Sequence, residues 1–343
     1  MKISIIVPVY NMAADGKLEF CMDSLVHQTI EDYEIIAVDD ASTDRSYEIL
    51  QQYQERYPGK VRVIRSPENR RQGGARNLGM DSACGQWIGF MDSDDFAAPD
   101  MYEKLLTKAE ETGADVVGCQ YQMTNGHSFA PGRRMENNTP EQCGILDDRK
   151  RASLILQCGS MVVKIYRRDV IERFGLRFPE HTFYEDNYAG PLWMMCFTHF
   201  ELVDEPLYYY YQYALSTVHT ISVEKCRNRM DMALRLVGDC QKRGFYDTYR
   251  EELESYFTRI YYTNTLFSYV RTAKWPRMSL VRELRDGMNQ YFSDFQKNKY
   301  YNNAYDEEEK RLIAMHMAHP LRYVIYYKLL RFYRRLRYGQ KGE

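Results

Sequence analysis

Residues 87–95 read Trp-Ile-Gly-Phe-Met-Asp-Ser-Asp-Asp, an apolar run that ends in three carboxylates. A short apolar run that follows a glycine, here Gly85, is typical of a buried strand. The acids then lie at the carboxyl end of that strand, where open α/β sheets bind their ligands. Like charges this close repel each other, so the cluster favours a hard cation such as Mg2+ or Mn2+. The alternative is a solvated acidic loop that caps the next helix.

Four more apolar runs predict strands on either side of this stretch, at Lys2–Val9, Tyr33–Val38, Val61–Ile64 and Ala114–Gln120. Segments with helical spacing separate them, so the pattern predicts the α/β class with a mostly parallel, Rossmann-like sheet flanked by helices. Several polar side chains follow the predicted strand ends and are expected to converge on one edge of the sheet. They are Asp39, Asp40, Arg76, Asp92 and Asp94.

The composition of the 343 residues, with 44% hydrophobic and 27% charged residues, is that of a globular protein. The net charge of -2 argues against a general nucleic-acid binder. We expect no signal peptide and no membrane span, because no basic segment with an apolar core and no long apolar run is found. The eight cysteines are scattered without a CxxC pair, which favours free thiols in a reducing cytoplasm.

We expect two domains, with residues 1–222 forming the catalytic domain and residues 223–343 a helical C-terminal region. The first divides into a nucleotide half, about 1–120, and an acceptor half, about 121–222. The polar segment from Asn125 to Arg151 is expected to form long loops, and residues Leu207 to Tyr213 an aromatic strand.

Together these motifs resemble those of inverting family 2 glycosyltransferases with the GT-A fold, of the bacterial surface-polysaccharide type. Each motif alone is weak, but their order and their positions at strand ends make a strong signal. On the donor side they are Pro8–Asn11, Val38–Asp44, Gly74–Asn77 and the DXD-like Asp92–Asp95; on the acceptor side, Lys164–Arg168, Arg177–Pro179 and Glu185-Asp186.

The resemblance implies transfer of a sugar from a nucleotide donor, most often a uridine diphosphate (UDP) sugar, with Mn2+ or Mg2+. It implies that Asp94 holds the metal with help from Asp92 or Asp95, while Asp92 and Ser93 lie near the ribose. Asp95 would have a lesser role as a helix cap. The implied acceptor is a glycan, in particular a lipid-linked glycan in surface polysaccharide synthesis.

For the nucleoside, the resemblance implies that Asp39 accepts from the uracil imide N–H, with Asp40 as the alternative. Pro8, Tyr10 and Asn11 would line the pocket. Arg76 would pack on the base or pair with phosphate through its planar guanidinium. The alternative is that Arg76 forms a salt bridge to a nearby Asp.

An inverting displacement needs a general base for the acceptor hydroxyl. We expect Asp186 to be this base, with Glu185 as second choice; the alternative is that these acids only begin a helix. His219 would close over the diphosphate or bind the metal, although a lone histidine is more often an ordinary polar residue.

The C-terminal tail, residues 321–341, combines one apolar helical face with many cations. Such a helix can lie on an anionic membrane surface at the inner face of the cell membrane, or dock on the catalytic domain. Nucleic-acid binding is a distant third use. The apolar residues are Leu321, Val324, Ile325, Leu329, Phe332 and Leu336; the cations are Arg322, Arg331, Arg334, Arg335, Arg337 and Lys341.

Two other functions share the sheet and the acids. A sugar nucleotidyltransferase would usually carry a Gly-rich basic loop after the first strand, where this chain has Tyr10-Asn11-Met12. A non-catalytic scaffold that binds nucleotide would not need Asp94 and Asp186.

Overall fold

The computed structural model describes residues 1–212 and 221–338. The chain divides into two compact units, Met1–Ser216 and Thr217–Glu343. The division lies a few residues before the boundary that we expected near Ser222.

The first unit is built on one mixed sheet with helices between its strands. The strands are β1 (Ile3–Val9), β2 (Tyr33–Asp39), β3 (Val61–Arg65), β4 (Trp87–Phe90), β5 (Phe96–Ala97), β6 (Val116–Thr124), β7 (Arg133–Met135), β8 (Gly144–Ile145), β9 (Lys164–Arg167) and β10 (His199–Tyr211). The helices are α1 (Lys17–Val26), α2 (Ser46–Arg56), α3 (Arg71–Ser82), α4 (Met101–Thr112), α5 (Asp148–Leu156), α6 (Arg168–Arg173) and α7 (Asp186–Cys196).

In the described part of this unit, the strand order is β3-β2-β1-β4-β9-β6-β10-β5, with β7 beside β6 and β8 beside β10. Strands β1 to β4 are parallel to their neighbours in that group, and β6 is parallel to β10. Strand β9 runs antiparallel between β4 and β6. The predicted α/β class with a mostly parallel sheet is confirmed.

Strands β1 and β2 are buried along their whole length, because helices cover both faces of the sheet at this point. The β-branched residues that predicted β1 fill this core, and Ile3, Ile5 and Ile6 are fully buried. Helix α3 comes close to β1 at Gly79, where a Cβ atom would lie 2.4 Å from Cγ2 of Ile6. The glycine therefore allows the short distance between α3 and the sheet at this point.

Two sequence predictions need correction in the second half of the unit. The segment Asn125 to Arg151 is not only loop, since it holds β7, a 3-10 turn at Pro140–Gln142, β8 and the start of α5. These elements are too short to show a periodic pattern. The aromatic strand begins at His199 rather than Leu207, and its described part ends at Tyr211.

The second unit is helical, as predicted. Its helices are α8 (Val223–Lys242), α9 (Arg250–Phe257), a π-helical turn (Thr258–Thr263), α10 (Asn264–Thr272), α11 (Met278–Tyr291), a 3-10 turn (Phe295–Lys297), α12 (Tyr301–Ala304), α13 (Glu307–Ala318) and α14 (Pro320–Tyr338). In its core, buried His316 hydrogen-bonds Tyr262 at 2.8 Å and the Val281 carbonyl at 2.9 Å. None of the helices in the described residues combines the length and apolarity needed to cross a bilayer.

Gly85, just before β4, gives a test of the close packing around β1. A Cβ atom at Gly85 would lie 2.4 Å from the backbone nitrogen of Ser4, and this backbone cannot move without disturbing β1. We expect Gly85→Ala to lower the free energy of unfolding by about 1–3 kcal/mol, measured by denaturant titration. Gly126→Ala is the control, because a Cβ there meets nothing within 4 Å. Equal stability of the two variants would contradict this packing argument.

Candidate active site

The loops after β1 and β2 are fastened to each other by hydrogen bonds. Asn11 has a left-handed backbone, with φ of 53°, and its backbone N–H donates to Ser42 Oγ at 3.0 Å. In return the Thr43 N–H donates to Asn11 Oδ1 at 2.8 Å. Asn11 is therefore committed to holding the loop, whereas Tyr10 beside it is 44% exposed. Pro8 is buried within β1.

The carboxylate of Asp39 ends β2 beside this loop and is fully buried. Neither of its oxygens accepts a hydrogen bond among the described residues, and Arg65 Nε lies 3.4 Å from Oδ2. Buried carboxylates normally have hydrogen-bond partners, so Asp39 has unused acceptor capacity. The adjacent Asp40 differs, because its Oδ1 accepts from the Arg70 N–H at 2.8 Å. Burial raises the pKa of Asp40.

The acidic cluster after β4 contains carboxylates in different surroundings. Asp92 is half-buried, and its Oδ1 accepts from Arg76 Nη2 at 2.8 Å and from Gln72 Nε2 at 2.6 Å. Ser93 is buried and Asp94 is half-buried.

Asp95 does not cap a helix, which corrects our expectation. Helix α4 begins six residues later and has Asp100 at its N-cap. Asp95 instead turns into the unit, where it accepts from Tyr208 Oη at 2.5 Å and from the Tyr211 N–H at 2.8 Å. Burial and the charges of Asp94 and Asp92 raise the pKa of Asp95.

Arg76 lies at the centre of the cluster and is only 3% exposed. Its Nη2 donates to Asp92, and its Nη1 donates to Glu185 Oε1 at 2.8 Å. The guanidinium also lies 5.3 Å from the ring centroid of Phe178. The structure thus has Arg76 in ion pairs, one of the uses that we considered, and these pairs join the donor-side acid to the acceptor-side acid.

Glu185 and Asp186 differ in exposure although they are neighbours at the start of α7. Glu185 is buried on Arg76, and burial raises its pKa to about 7 even though Arg76 opposes the shift. Asp186 is an exposed residue whose Oδ1 accepts from the Asn187 N–H at 3.0 Å. Desolvation by the surrounding protein and the charge of Asp92 raise the pKa of Asp186. Asp186 is thus the better placed of the two to meet a second substrate.

Residues of α3 to which the sequence assigned no role bring the acceptor-side segment against this helix. Asn77 exchanges two hydrogen bonds of 2.9 Å with the backbone of Phe178. A Cβ atom at Gly73 would lie 2.2 Å from the Pro179 carbonyl oxygen, so only glycine permits this approach. Gln72 adds its bond to Asp92. The sequence contained a signal for this packing, since Gly73 and Asn77 lie on either side of Arg76 in one helix.

The donor set fits a metal ion that takes most of its ligands from substrate and water. No group of three or more His, Cys, Asp or Glu residues in the described ranges could form a protein cage. Mg2+ and similar ions often bind through one or two carboxylates together with substrate phosphates, and Asp94 with Asp92 provides such a pair. His219, the other expected ligand, lies outside the described residues.

Comparisons with known proteins agree with this fold. A family model described as "Glycosyl transferase family 2" matches residues 4–175. The uncharacterized glycosyltransferase EpsJ of Bacillus subtilis (strain 168) is 35% identical over 214 residues, 61% of this chain and 60% of EpsJ. The poly(ribitol-phosphate) beta-glucosyltransferase of Bacillus spizizenii is 32% identical over 183 residues, 53% of this chain and 27% of the relative. The chain thus spans less than two thirds of these relatives.

Among solved structures, S. aureus TarS 1–349 in complex with UDP-GlcNAc superposes with a TM-score of 0.54 at 20% identity. The match covers 90% of this chain and 78% of TarS 1–349. Such a likeness shows the fold, and the expected GT-A fold is confirmed. The family model covers half of the chain, including the acidic cluster and Arg76. This chain therefore belongs to glycosyl transferase family 2.

Proposed function

We propose that the protein is a metal-assisted, inverting glycosyltransferase that moves a sugar from a UDP-sugar to a hydroxyl of a growing glycan. One observation carries the proposal: buried Arg76 holds Asp92 and Glu185 in a single ion-paired unit. Asp92 follows the central strand β4, and Glu185 is followed at once by the exposed Asp186. This geometry supports two substrates that meet at one point on the sheet edge.

Asp39 supports a uracil base on the donor. Its buried carboxylate needs a hydrogen-bond donor, and the imide N–H of uracil is a donor of the right kind. Asn11, Ser42 and Thr43 keep the neighbouring loops in place by their mutual bonds. Tyr10, which is exposed, would lie against the base.

A divalent cation, Mn2+ or Mg2+, held by Asp94 and by Asp92 Oδ2, would supply positive charge to the diphosphate as it leaves. Asp92 Oδ1 is already used by Arg76 and Gln72. These two donors keep the Asp92 carboxylate in one orientation, so its position is fixed before the substrate binds.

Asp186 would take the proton from the acceptor hydroxyl. The acceptor oxygen then bonds to the anomeric carbon on the face opposite the diphosphate, and the bond from that carbon to the diphosphate oxygen breaks. One displacement inverts the anomeric configuration. Glu185 is a positioning residue here, because its bond to Arg76 fixes the first turn of α7 on which Asp186 lies.

A glycan of a surface polysaccharide, in particular a lipid-linked one, is the acceptor class that we infer. The likeness to a poly(ribitol-phosphate) beta-glucosyltransferase supports a polymer hydroxyl as acceptor. A cytoplasmic location, at the inner face of the membrane, is supported by the cysteines, which are all free thiols.

Asp39→Asn tests base recognition. We expect the affinity for UDP to fall at least about tenfold, because a hydrogen bond to a charged acceptor is lost. Cytosine accepts at the position where uracil donates, so the preference for UDP over CDP should also fall. Isothermal calorimetry with both nucleotides measures this change. Asp40→Asn tests the alternative acid and should leave the UDP affinity unchanged; an unchanged UDP affinity in Asp39→Asn would exclude the role of Asp39.

Metal binding should depend on the nucleotide, because no group of three or more His, Cys, Asp or Glu residues within 1–212 and 221–338 could hold a metal ion. We expect calorimetric titration with Mn2+ to give tight binding in the presence of UDP and much weaker binding without it. Asp94→Asn should remove the UDP-dependent component, whereas Asp100→Asn, which removes a nearby charge, should retain it. Equal Mn2+ affinity with and without UDP would contradict a phosphate-bridged site.

Asp186→Asn should reduce glycosyl transfer by a factor of about 100 to 10,000 while UDP affinity stays the same. The base acts when ionised, so kcat/KM should fall as pH decreases through the pKa of Asp186. Because that pKa is raised, the fall should begin at a higher pH than for an ordinary aspartate. Asp169→Asn, in the first turn of α6, is the control. Normal transfer by Asp186→Asn would disqualify Asp186 as the base.

A further inference from the structure

Helix α14 (Pro320–Tyr338) carries an exposed apolar stripe along its length. Its members are between 53% and 71% exposed, and they are Leu321, Ile325, Leu329, Phe332 and Leu336. At 3.6 residues per turn, these positions fall within an arc of about 80°. The other side of the helix is packed, since Tyr323 is fully buried and Val324 is 9% exposed. The stripe is therefore a continuous surface of the second unit and not a set of isolated residues.

Cations lie on both sides of this apolar stripe. Arg322 follows it on one side, and Lys328, Arg331 and Arg335 on the other, by the same helical geometry. The sequence Pro320–Tyr338 contains no Asp or Glu. The ion pair of Arg334 with Glu308 on α13, at 2.6 Å, takes Arg334 out of the cations available to a partner.

The end of α10 and the loop that follows it are bonded to the cationic side of α14, and this loop contains an exposed tryptophan. Lys328 Nζ donates to the Ala273 carbonyl at 2.6 Å, and Arg331 Nη1 donates to the Arg271 carbonyl at 2.9 Å. These bonds attach the loop to the cationic side of α14. Two residues after Ala273, Trp275 is 83% exposed.

We propose that the α14 stripe, Trp275 and the flanking cations form a docking surface for an anionic lipid bilayer. The helix would lie in the plane of the interface, with its apolar stripe among the acyl chains and its cations at the headgroups. Tryptophan is enriched at this depth, because its ring is apolar and its N–H is polar. The exposed cations Lys274 and Arg277 beside Trp275 add to the attraction.

Charge argues for lipid over a second copy of the chain. In a two-fold symmetric dimer the same patch meets itself, so the cations flanking one stripe would meet those flanking the other. An anionic bilayer instead offers both partners that the surface needs, hydrocarbon for the stripe and phosphate for the cations. The proposal goes beyond glycosyl transfer, since binding to vesicles can be measured without turnover.

Tryptophan fluorescence of the full-length wild-type chain gives a direct test. The chain has three tryptophans, of which Trp87 is 7% exposed and Trp193 is fully buried. Any change on adding vesicles therefore reports mainly on Trp275. With vesicles of phosphatidylglycerol and phosphatidylcholine, we expect a blue shift, quenching by brominated acyl chains, and co-sedimentation that weakens as salt increases.

Variants locate the contact. Ile325→Asp combined with Phe332→Asp should reduce vesicle binding at least tenfold, and Trp275→Ala should abolish the fluorescence response. Ile145→Asp is the control for the same chemical change, because Ile145 is 75% exposed and lies in β8, far along the chain from α14. UDP affinity should be the same in all variants, which separates failure of this surface from failure of the catalytic proposal.

Three results would overturn the proposal. The first is no binding of the wild-type chain to anionic vesicles at low salt. The second is equal binding to vesicles of pure phosphatidylcholine, which would remove the role of charge. The third is a dimer in analytical ultracentrifugation that Ile325→Asp with Phe332→Asp dissociates, without vesicle binding by the wild type, which would assign the stripe to a second copy.

Discussion

The arrangement of the site depends on one buried cation, the guanidinium of Arg76. An isolated charge at 3% exposure would be costly, and Asp92 and Glu185 offset this cost with bonds of 2.8 Å each. The planar fork of arginine can hold two carboxylates in fixed directions, which a lysine could not do. Because Asp92 follows β4 and Glu185 stands at the start of α7, this single side chain links two segments that are far apart in the sequence.

The same pairing explains the electrostatics around it. Asp92, Glu185 and Asp186 all act on the buried Arg76, so carboxyl groups outnumber this cation by three to one. The raised pKa values of Asp95, Glu185 and Asp186 follow from burial and from these neighbouring charges. A cation and a substrate that brings hydrogen-bond donors both relieve this imbalance.

Much of this site could be predicted from sequence, because parallel strands end on the same edge whatever their separation in the chain. That rule places Asp39, Asp92 and Asp94 at the same edge of the sheet, because β2, β1 and β4 are parallel neighbours. The rule could not predict which of several similar side chains would pair with each other. Arg76 pairs with Glu185, 109 residues away, and Asp95 pairs with Tyr208, 113 residues away. A sequence does not show which carboxylate turns toward which donor. The short strands and the 3-10 turn between Asn125 and Arg151 were not predicted for another reason, since an element of two or three residues shows no periodic pattern.

The place of β9 in the sheet has a consequence for how the chain is made. Strand β9 enters between β4 and β6, although residues Lys164–Arg167 are synthesised long after both. Until they leave the ribosome, β4 and β6 each present an open edge that could pair with another chain. A fragment ending near residue 120 would carry these unpaired edges. The last partner of these two edges is available only once Lys164–Arg167 has been synthesised, and an unpaired edge exposed until then favours aggregation.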